Sequence, residues 1–204
     1  MARQIVLASG SAIRGQMLSN AGIAFEAIVP RVDEEMIKIA LQAEKATPRD
    51  IADALAETKA RKIGGKHPDK LVIGCDQVLD FDVLDFDGQI LSKPQTPDEA
   101  KEQLKALRGK RHSLLSAVVV YHQLEPLWRH VGQVRLYMRD ISDSYLNEYV
   151  DRNWPSLQSS VGGYKLEEEG VRLFSRIEGD YFTILGLPLI EMINYLTASG
   201  DLKA

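Results

Sequence analysis

The apolar run Leu71-Val72-Ile73-Gly74-Cys75-Asp76-Gln77-Val78-Leu79 carries a carboxylate in its middle. A continuous run of this kind predicts a strand buried on both faces, as in a covered sheet. An ionised Asp76 there is costly to desolvate unless a cation, a metal or several hydrogen bonds meet it. Residues 4–8 predict a shorter strand of the same type. Ser9-Gly10-Ser11 follows, then a helix with Ile13, Met17 and Ala21 on its inner face, and residues 24–29 read as a further strand. Thr47-Pro48-Arg49-Asp50 supplies a cap with proline at the first helical position, predicting a helix to about residue 63.

After the 71–79 strand a hairpin is expected to close near Asp87-Gly88. Thr96-Pro97-Asp98-Glu99 reads as a capping box, with Ala100, Leu104 and Leu107 as the inner stripe of its helix. Residues 112–122 and 128–138 predict an antiparallel pair. A helix from Ser142 then turns Leu146, Tyr149 and Val150 inward. A Gly-rich loop, a short strand at 171–174 and a helix opened by Pro188 complete the series. Alternating strands and helices imply an α/β protein with a mixed β-sheet flanked by helices. No repeat, low-complexity tract or linker marks a boundary, so residues 1–204 are read as a single domain.

Composition narrows the function. The 204 residues are 45% hydrophobic, enough for a substantial core, and the net charge of −4 offers no basic field for nucleic acid or anionic membrane. Anion recognition must therefore come from individual Lys and Arg side chains. Cys75 is the one cysteine, which excludes an intramolecular disulfide, and its place in the apolar run predicts a packed thiol. No signal-peptide pattern and no stretch of transmembrane length is visible, which predicts a cytoplasmic location.

Four segments place chemistry where folding alone has no need of it. Ser9-Gly10-Ser11-Ala12-Ile13-Arg14 is a strand–turn–helix junction. A helix N-terminus there favours an anion, Arg14 can fork onto phosphate oxygens, and Ser9 adds a hydroxyl; ordinary capping with a solvated Arg14 is the alternative. Lys59 interrupts the stripe Ile51, Leu55, Lys59, Ile63, so it either snorkels out or reaches a buried anion. Lys93 is held before Pro94, as a surface lysine or as a phosphate contact. Asp33-Glu34-Glu35 either complements a helix dipole, or its Asp33 or Glu34 joins Asp76 as an oxygen site for Mg²⁺. Asp80, Asp82, Asp85 and Asp87 lack EF-hand spacing and read as a solvated hairpin tip. The four histidines lack metal-ligand spacing, and no Gly-x-Ser-x-Gly elbow or Walker loop is present. Acids for a metal and a water, with cations for phosphates, point to metal-assisted attack on a polyphosphate.

These segments resemble, over nearly the whole chain, the Maf family of nucleoside triphosphate pyrophosphatases. The matching pieces are Leu7-Ala8-Ser9-Gly10-Ser11-Ala12-Ile13-Arg14, Val32-Asp33-Glu34, Lys59-Ala60, Gly74-Cys75-Asp76, Lys93-Pro94, Ile177-Glu178-Gly179-Asp180 and Gly186-Leu187-Pro188-Leu189. The resemblance implies a Maf/ITPase-like fold with a central cleft, dependence on Mg²⁺ or Mn²⁺, frequent homodimers, and cleavage of an NTP to a monophosphate and pyrophosphate. It implies Asp76 as proton acceptor; with that role, the residues themselves predict Glu34 helping Asp76 to hold the metal, and Arg14, Lys59 and Lys93 neutralising the phosphates. The chain departs from the family in lacking the Pro and first Arg of Ser-Pro-Arg-Arg, and in a longer hairpin before Lys93. Gln77 and Glu167 look like the branch that acts on 7-methyl-GTP, although that branch carries Trp where this chain has Ile13.

Glu167 follows Val161-Gly162-Gly163-Tyr164-Lys165-Leu166, whose glycines permit close approach to a ligand. A carboxylate only accepts hydrogen bonds, so it suits guanine, which presents two donors side by side, better than thymine or uracil. Otherwise Glu167-Glu168-Glu169 is a solvated acidic run. Three alternatives to a guanine-type pyrophosphatase stand beside it: a non-catalytic nucleotide-binding regulator of septum formation, a dTTP/UTP-type pyrophosphatase, and a phosphomonoesterase.

Overall fold

The computed structural model describes residues 3–81 and 90–203. The hairpin expected near Asp87-Gly88, with Asp82, Asp85 and Asp87, lies outside the described residues. The elements are β1 (Ile5–Ala8), α1 (Ala12–Asn20), β2 (Phe25–Ala27), α2 (Glu34–Ala43), α3 (Pro48–Gly64), β3 (Leu71–Asp80), α4 (Pro97–Leu107), β4 (Arg111–His122), β5 (Glu125–Met138), α5 (Asp143–Leu157), β6 (Phe174–Glu178), α6 (Tyr181–Ile184) and α7 (Leu189–Ala198). Six strands form one sheet in the order β2-β1-β3-β4-β5-β6, a mixed α/β architecture as the alternation predicts. β1 pairs in parallel with β2 and β3, and β5 pairs antiparallel with β6.

The described residues gather into two compact units. The first holds the residues up to Gln77, Leu115–Gly132, and those from Asp180 onward. Its core is set by strand alternation. Ile5, Leu7, Leu71, Ile73 and Cys75 turn to one face, where Met17, Leu18, Met192 and Leu196 pack on them. Val72, Gly74 and Asp76 turn to the opposite face, and there α3 comes very close. A Cβ on Gly74 would stand 2.2 Å from the Ala56 carbonyl oxygen and 2.7 Å from the Ala60 nitrogen, so only glycine permits the approach. Ala8 is registered with Gly74, so Ser9 and Asp76 both fall just past the end of the β1–β3 pairing, where open α/β sheets place their ligands.

The second unit holds the described residues of Val78–Leu114 together with Gln133–Gly179. α4 buries Ala100, Leu104 and Leu107, and α5 buries Leu146, Tyr149 and Val150, as their spacing predicts. Thr96 caps α4 through the Glu99 nitrogen, but the Glu99 carboxylate returns to the Gln95 nitrogen instead of closing the box on Thr96. The Thr47–Asp50 box at α3 is complete.

Several expectations are corrected. The buried face of α1 is Arg14, Met17 and Leu18, with Ile13 half-buried and Ala21 exposed, because the Arg14 head has partners inside. β2 is only three residues long. Acids 33–35 open α2, with Asp33 as its N-cap accepting from the Met36 nitrogen. The strand expected at 171–174 is a 3₁₀ turn over Glu169–Leu173, and β6 begins at Phe174. Gly170 permits that turn by packing on Lys165: a Cβ there would lie 2.4 Å from the Lys165 carbonyl oxygen. The turn between β4 and β5 is two residues, Gln123 and Leu124, both at positive φ, the geometry of a tight antiparallel hairpin.

Candidate active site

Lys59 lies in the centre of the buried stripe of α3, flanked by Leu55, Ala56, Ala60 and Ile63. The structure chooses between its two sequence readings: the side chain is buried and reaches anions. Its Nζ donates to Asp76 Oδ1 at 2.5 Å and stands 2.8 Å from Glu34 Oε1. Asp76 is 5% exposed and Lys59 6%, so this pair is desolvated, whereas the Glu34 side chain is 38% exposed. The Gly74 contact explains the geometry. It presses β3 onto α3 two residues before Asp76 and one turn from Lys59, bringing ammonium and carboxylate together in a low-dielectric setting where their attraction is strong. α2 then delivers Glu34 from its first turn.

Arg14 forms a second cluster beside Asp76 along the chain of β3. Its Nε donates to the Gly186 carbonyl at 2.7 Å, and Nη1 donates to the Cys75 carbonyl at 3.1 Å and to Ser9 Oγ at 3.3 Å. Gly186, at φ 95°, gives the guanidinium its room: a Cβ there would sit 2.9 Å from Nη2. Ser9 Oγ also accepts from the Ser11 nitrogen at 3.2 Å, closing the turn before α1. Arg14 is thus built into the junction and not solvated. Cys75 is fully enclosed, and burial pushes its thiol up to about 11, which makes it the inert packed thiol the sequence predicts.

Gln77 is oriented by its surroundings. The Thr183 and Ile184 carbonyls lie 3.2 and 2.9 Å from its amide nitrogen and can only accept, and Ser116 Oγ lies at 2.9 Å while donating to the Thr183 carbonyl at 2.7 Å. The amide nitrogen must face them, so the group Gln77 retains for a ligand is its carbonyl oxygen. Ser116 and Gly186 went unassigned by sequence reasoning. A signal for Ser116 existed: like Asp76, it is a polar residue inside an apolar strand, Leu114-Leu115-Ser116-Ala117-Val118.

Lys93 and Glu167 belong to the second unit. Lys93 is exposed, and its chain is fixed by buried Pro94, by Gln95 Nε2 donating to the Lys93 carbonyl at 3.0 Å, and by Gln103 Nε2 donating to the Ser92 carbonyl at 2.9 Å. The acidic run at 167–169 is not uniformly solvated. Glu169 pairs with Arg152 and Asn153, and Glu168 accepts from Ser156, while Glu167 is exposed and has no hydrogen bond or ion pair among the described residues. The glycines of this loop serve packing. Gly162, at φ 80°, lies flat on Leu79 and the Tyr164 ring, where a Cβ would meet them at 2.7 and 2.9 Å.

Among the described residues no group of three or more His, Cys, Asp or Glu converges as a metal site. Asp76 and Glu34 converge on the Lys59 ammonium. One or two carboxylates completed by substrate phosphates and water are what Mg²⁺ commonly takes, so this donor pair fits a metal that arrives with a nucleotide. No helix among the described residues is long and apolar enough to cross a membrane.

Comparison with known proteins bears on this arrangement. Residues 4–199 match the family described as Maf-like protein. A nucleoside triphosphate pyrophosphatase of Ruegeria pomeroyi is 62% identical over 96% of both chains, and one of Ruegeria sp. strain TM1040 is 60% identical over the full length of both. A 7-methyl-GTP pyrophosphatase of Rhizobium meliloti is 42% identical over 98% of each chain. A solved nucleoside-triphosphatase / dITP/XTP pyrophosphatase of Mycobacterium abscessus aligns over 96% of this chain and 93% of its own, at 15% identity and a TM-score of 0.41.

Proposed function

The chain belongs to the Maf-like protein family, and we propose that it is a pyrophosphatase of nucleoside triphosphates, acting on guanine-type nucleotides with 7-methyl-GTP among them. It is a hydrolase of the α–β phosphoanhydride: water adds to the α-phosphorus, the bond to the bridging oxygen breaks, and NMP and pyrophosphate leave. The carrying observation is the desolvated Lys59–Asp76 pair with Glu34 on the same ammonium, at the end of the parallel strands.

Asp76 takes the proton of the attacking water through its carboxylate. Lys59 holds Asp76 and Glu34 at fixed positions and adds positive charge where the phosphates gather, the preorganised electrostatic stabilisation that lowers such barriers. A divalent cation, Mg²⁺ or Mn²⁺, held by Asp76 and Glu34, would supply charge neutralisation to the triphosphate. Arg14 and Ser9 shape the anion-binding junction before α1, and Lys93 contributes charge to the departing pyrophosphate. Gln77 offers an acceptor oxygen and Glu167 an accepting carboxylate, each suited to a hydrogen-bond donor of guanine, and Ile13 is an apolar substrate contact. Residues 1–204 act as one catalytic domain, cytoplasmic and able to form a homodimer.

Incubation with a panel of nucleoside triphosphates and Mg²⁺ tests this reading. Pyrophosphate release, with kcat/KM for GTP or 7-methyl-GTP above that for dTTP and UTP, is the expected result. Release of orthophosphate, or no turnover, refutes the activity, and a preference for dTTP or UTP refutes the base assignment alone.

A further inference from the structure

His112 is the anomaly of the second unit. It is completely buried at the start of β4, its Nδ1 has no hydrogen-bond partner, and burial pulls its pKa down to about 3. A leucine would fill such a position without a desolvated imidazole, and a buried polar orphan in a folded protein calls for a reason. Its other nitrogen supplies one: Nε2 lies 2.7 Å from Tyr164 Oη, itself fully enclosed. Phe174 packs edge-on against Tyr164, and the absence of a side chain at Gly162 lets the Tyr164 ring lie against that backbone. Tyr164 stands three residues before Glu167. Ser160 Oγ donates to the Tyr164 carbonyl at 2.6 Å, and Gly170 packs on Lys165, so the turn is closed on both sides of Glu167. The neighbours of Glu167 are fastened to α5, and its own carboxylate is left pointing outward from a fixed turn.

We infer that the His112–Tyr164 hydrogen bond is a positioning device that fixes the turn carrying Glu167 and thereby sets base selectivity. The inference rests on the assignment of Glu167 to the base. Selection by a carboxylate depends on geometry: hydrogen bonds weaken steeply as the donor angle falls, so a small misplacement of Glu167 erodes the discrimination. A neutral imidazole has one N–H, so the His112–Tyr164 contact uses a single, directional bond and not a diffuse packing surface.

The test measures the ratio of kcat/KM for GTP to that for UTP in the full chain, with far-UV circular dichroism and thermal melting on each variant. Four variants are compared: Glu167→Gln, Tyr164→Phe, His112→Leu and His112→Gln. Glu167→Gln is expected to move the ratio toward UTP. Tyr164→Phe and His112→Leu should move it the same way, on the order of tenfold. His112→Gln, whose amide can reach Tyr164 Oη, should retain the wild-type ratio. A merely structural role would lower both substrates alike, so a parallel fall with an unchanged ratio overturns the inference. If Glu167→Gln shifts the ratio and neither Tyr164→Phe nor His112→Leu does, the inference fails and the Glu167 assignment stands. If Glu167→Gln leaves the ratio unmoved, both fall. Tyr164→Phe keeps the ring in its packing and serves where His112→Leu does not fold.

Discussion

Replacing Lys59 with methionine removes the cation from the desolvated Lys59–Asp76 pair while keeping the volume of the stem. Asp76 is 5% exposed and loses the Nζ at 2.5 Å, and Glu34, 2.8 Å from the same Nζ, becomes an adjacent like charge. Breaking a buried pair from one side costs about 3–5 kcal/mol. For about 200 residues, a loss of about 4 kcal/mol is a drop in Tm of about 8–16 °C. Urea or thermal unfolding of wild type and Lys59→Met at pH 7 measures the deficit. Adding Asp76→Asn to the variant removes the orphaned charge and should recover most of the loss. A Lys59→Met protein that melts with wild type, or one that Asp76→Asn does not rescue, refutes the reasoning.

Asp76→Asn alone keeps the shape of the side chain and removes the proton acceptor; kcat for pyrophosphate release should fall on the order of 10²–10⁴-fold, and near-normal turnover would dismiss Asp76 as the base. Gly74→Ala places a methyl 2.2 Å from the Ala56 carbonyl oxygen, so β3 must move from α3; a stability loss of about 1–3 kcal/mol in urea and a fall in activity are expected together, since the same contact sets the Lys59–Asp76 distance. At the chain ends, Arg3 donates through Nε to Asp201 Oδ1 at 2.8 Å, and Ser199 donates to Asp201 Oδ2 at 2.6 Å; together, with Arg3 leading, they hold the Asp201 carboxyl at about 2, below its ordinary 3.8. That contribution is present above about pH 4 and is lost as pH falls toward 2; partial exposure of Arg3 limits it to about 1 kcal/mol, and acid titration of Asp201→Asn by circular dichroism should show it gone.

Much of the fold is legible because its signals are local. The Thr47–Asp50 box, Pro48, the α4 stripe and the buried β1 and β3 runs each follow from one stretch of chain, and the structure has them where the periodicity places them. The misplacements occur where a specific contact overrides the apolar pattern. Residues 171–174 have the apolar content of a strand, but Gly170 against Lys165 turns the chain first. The α1 face looked hydrophobic through Ile13 and Ala21; Arg14 takes the inner position because Gly186 and Cys75, 172 and 61 residues away, offer it carbonyls. No window of sequence contains those partners.

The site divides along the same line. Lys59 and Asp76 are each visible as a charge in the wrong place, one on an apolar helical stripe and one in an apolar strand. Two misplaced charges of opposite sign within 17 residues are most economically explained by each other. What the chain alone could not supply is the reason they meet, since a glycine inside a strand reads first as a weakness. Gly74 converts that weakness into a close helix–strand approach, which brings Gly-x-Asp and Lys-Ala together although neither segment specifies the other. The opposite holds for His112. Its sequence position carries no sign of function, and only the 2.7 Å contact to Tyr164 distinguishes it from a packed core residue. Buried charged residues are conspicuous in a sequence because burial penalises their charge, whereas a neutral buried residue is distinguished only by its contacts.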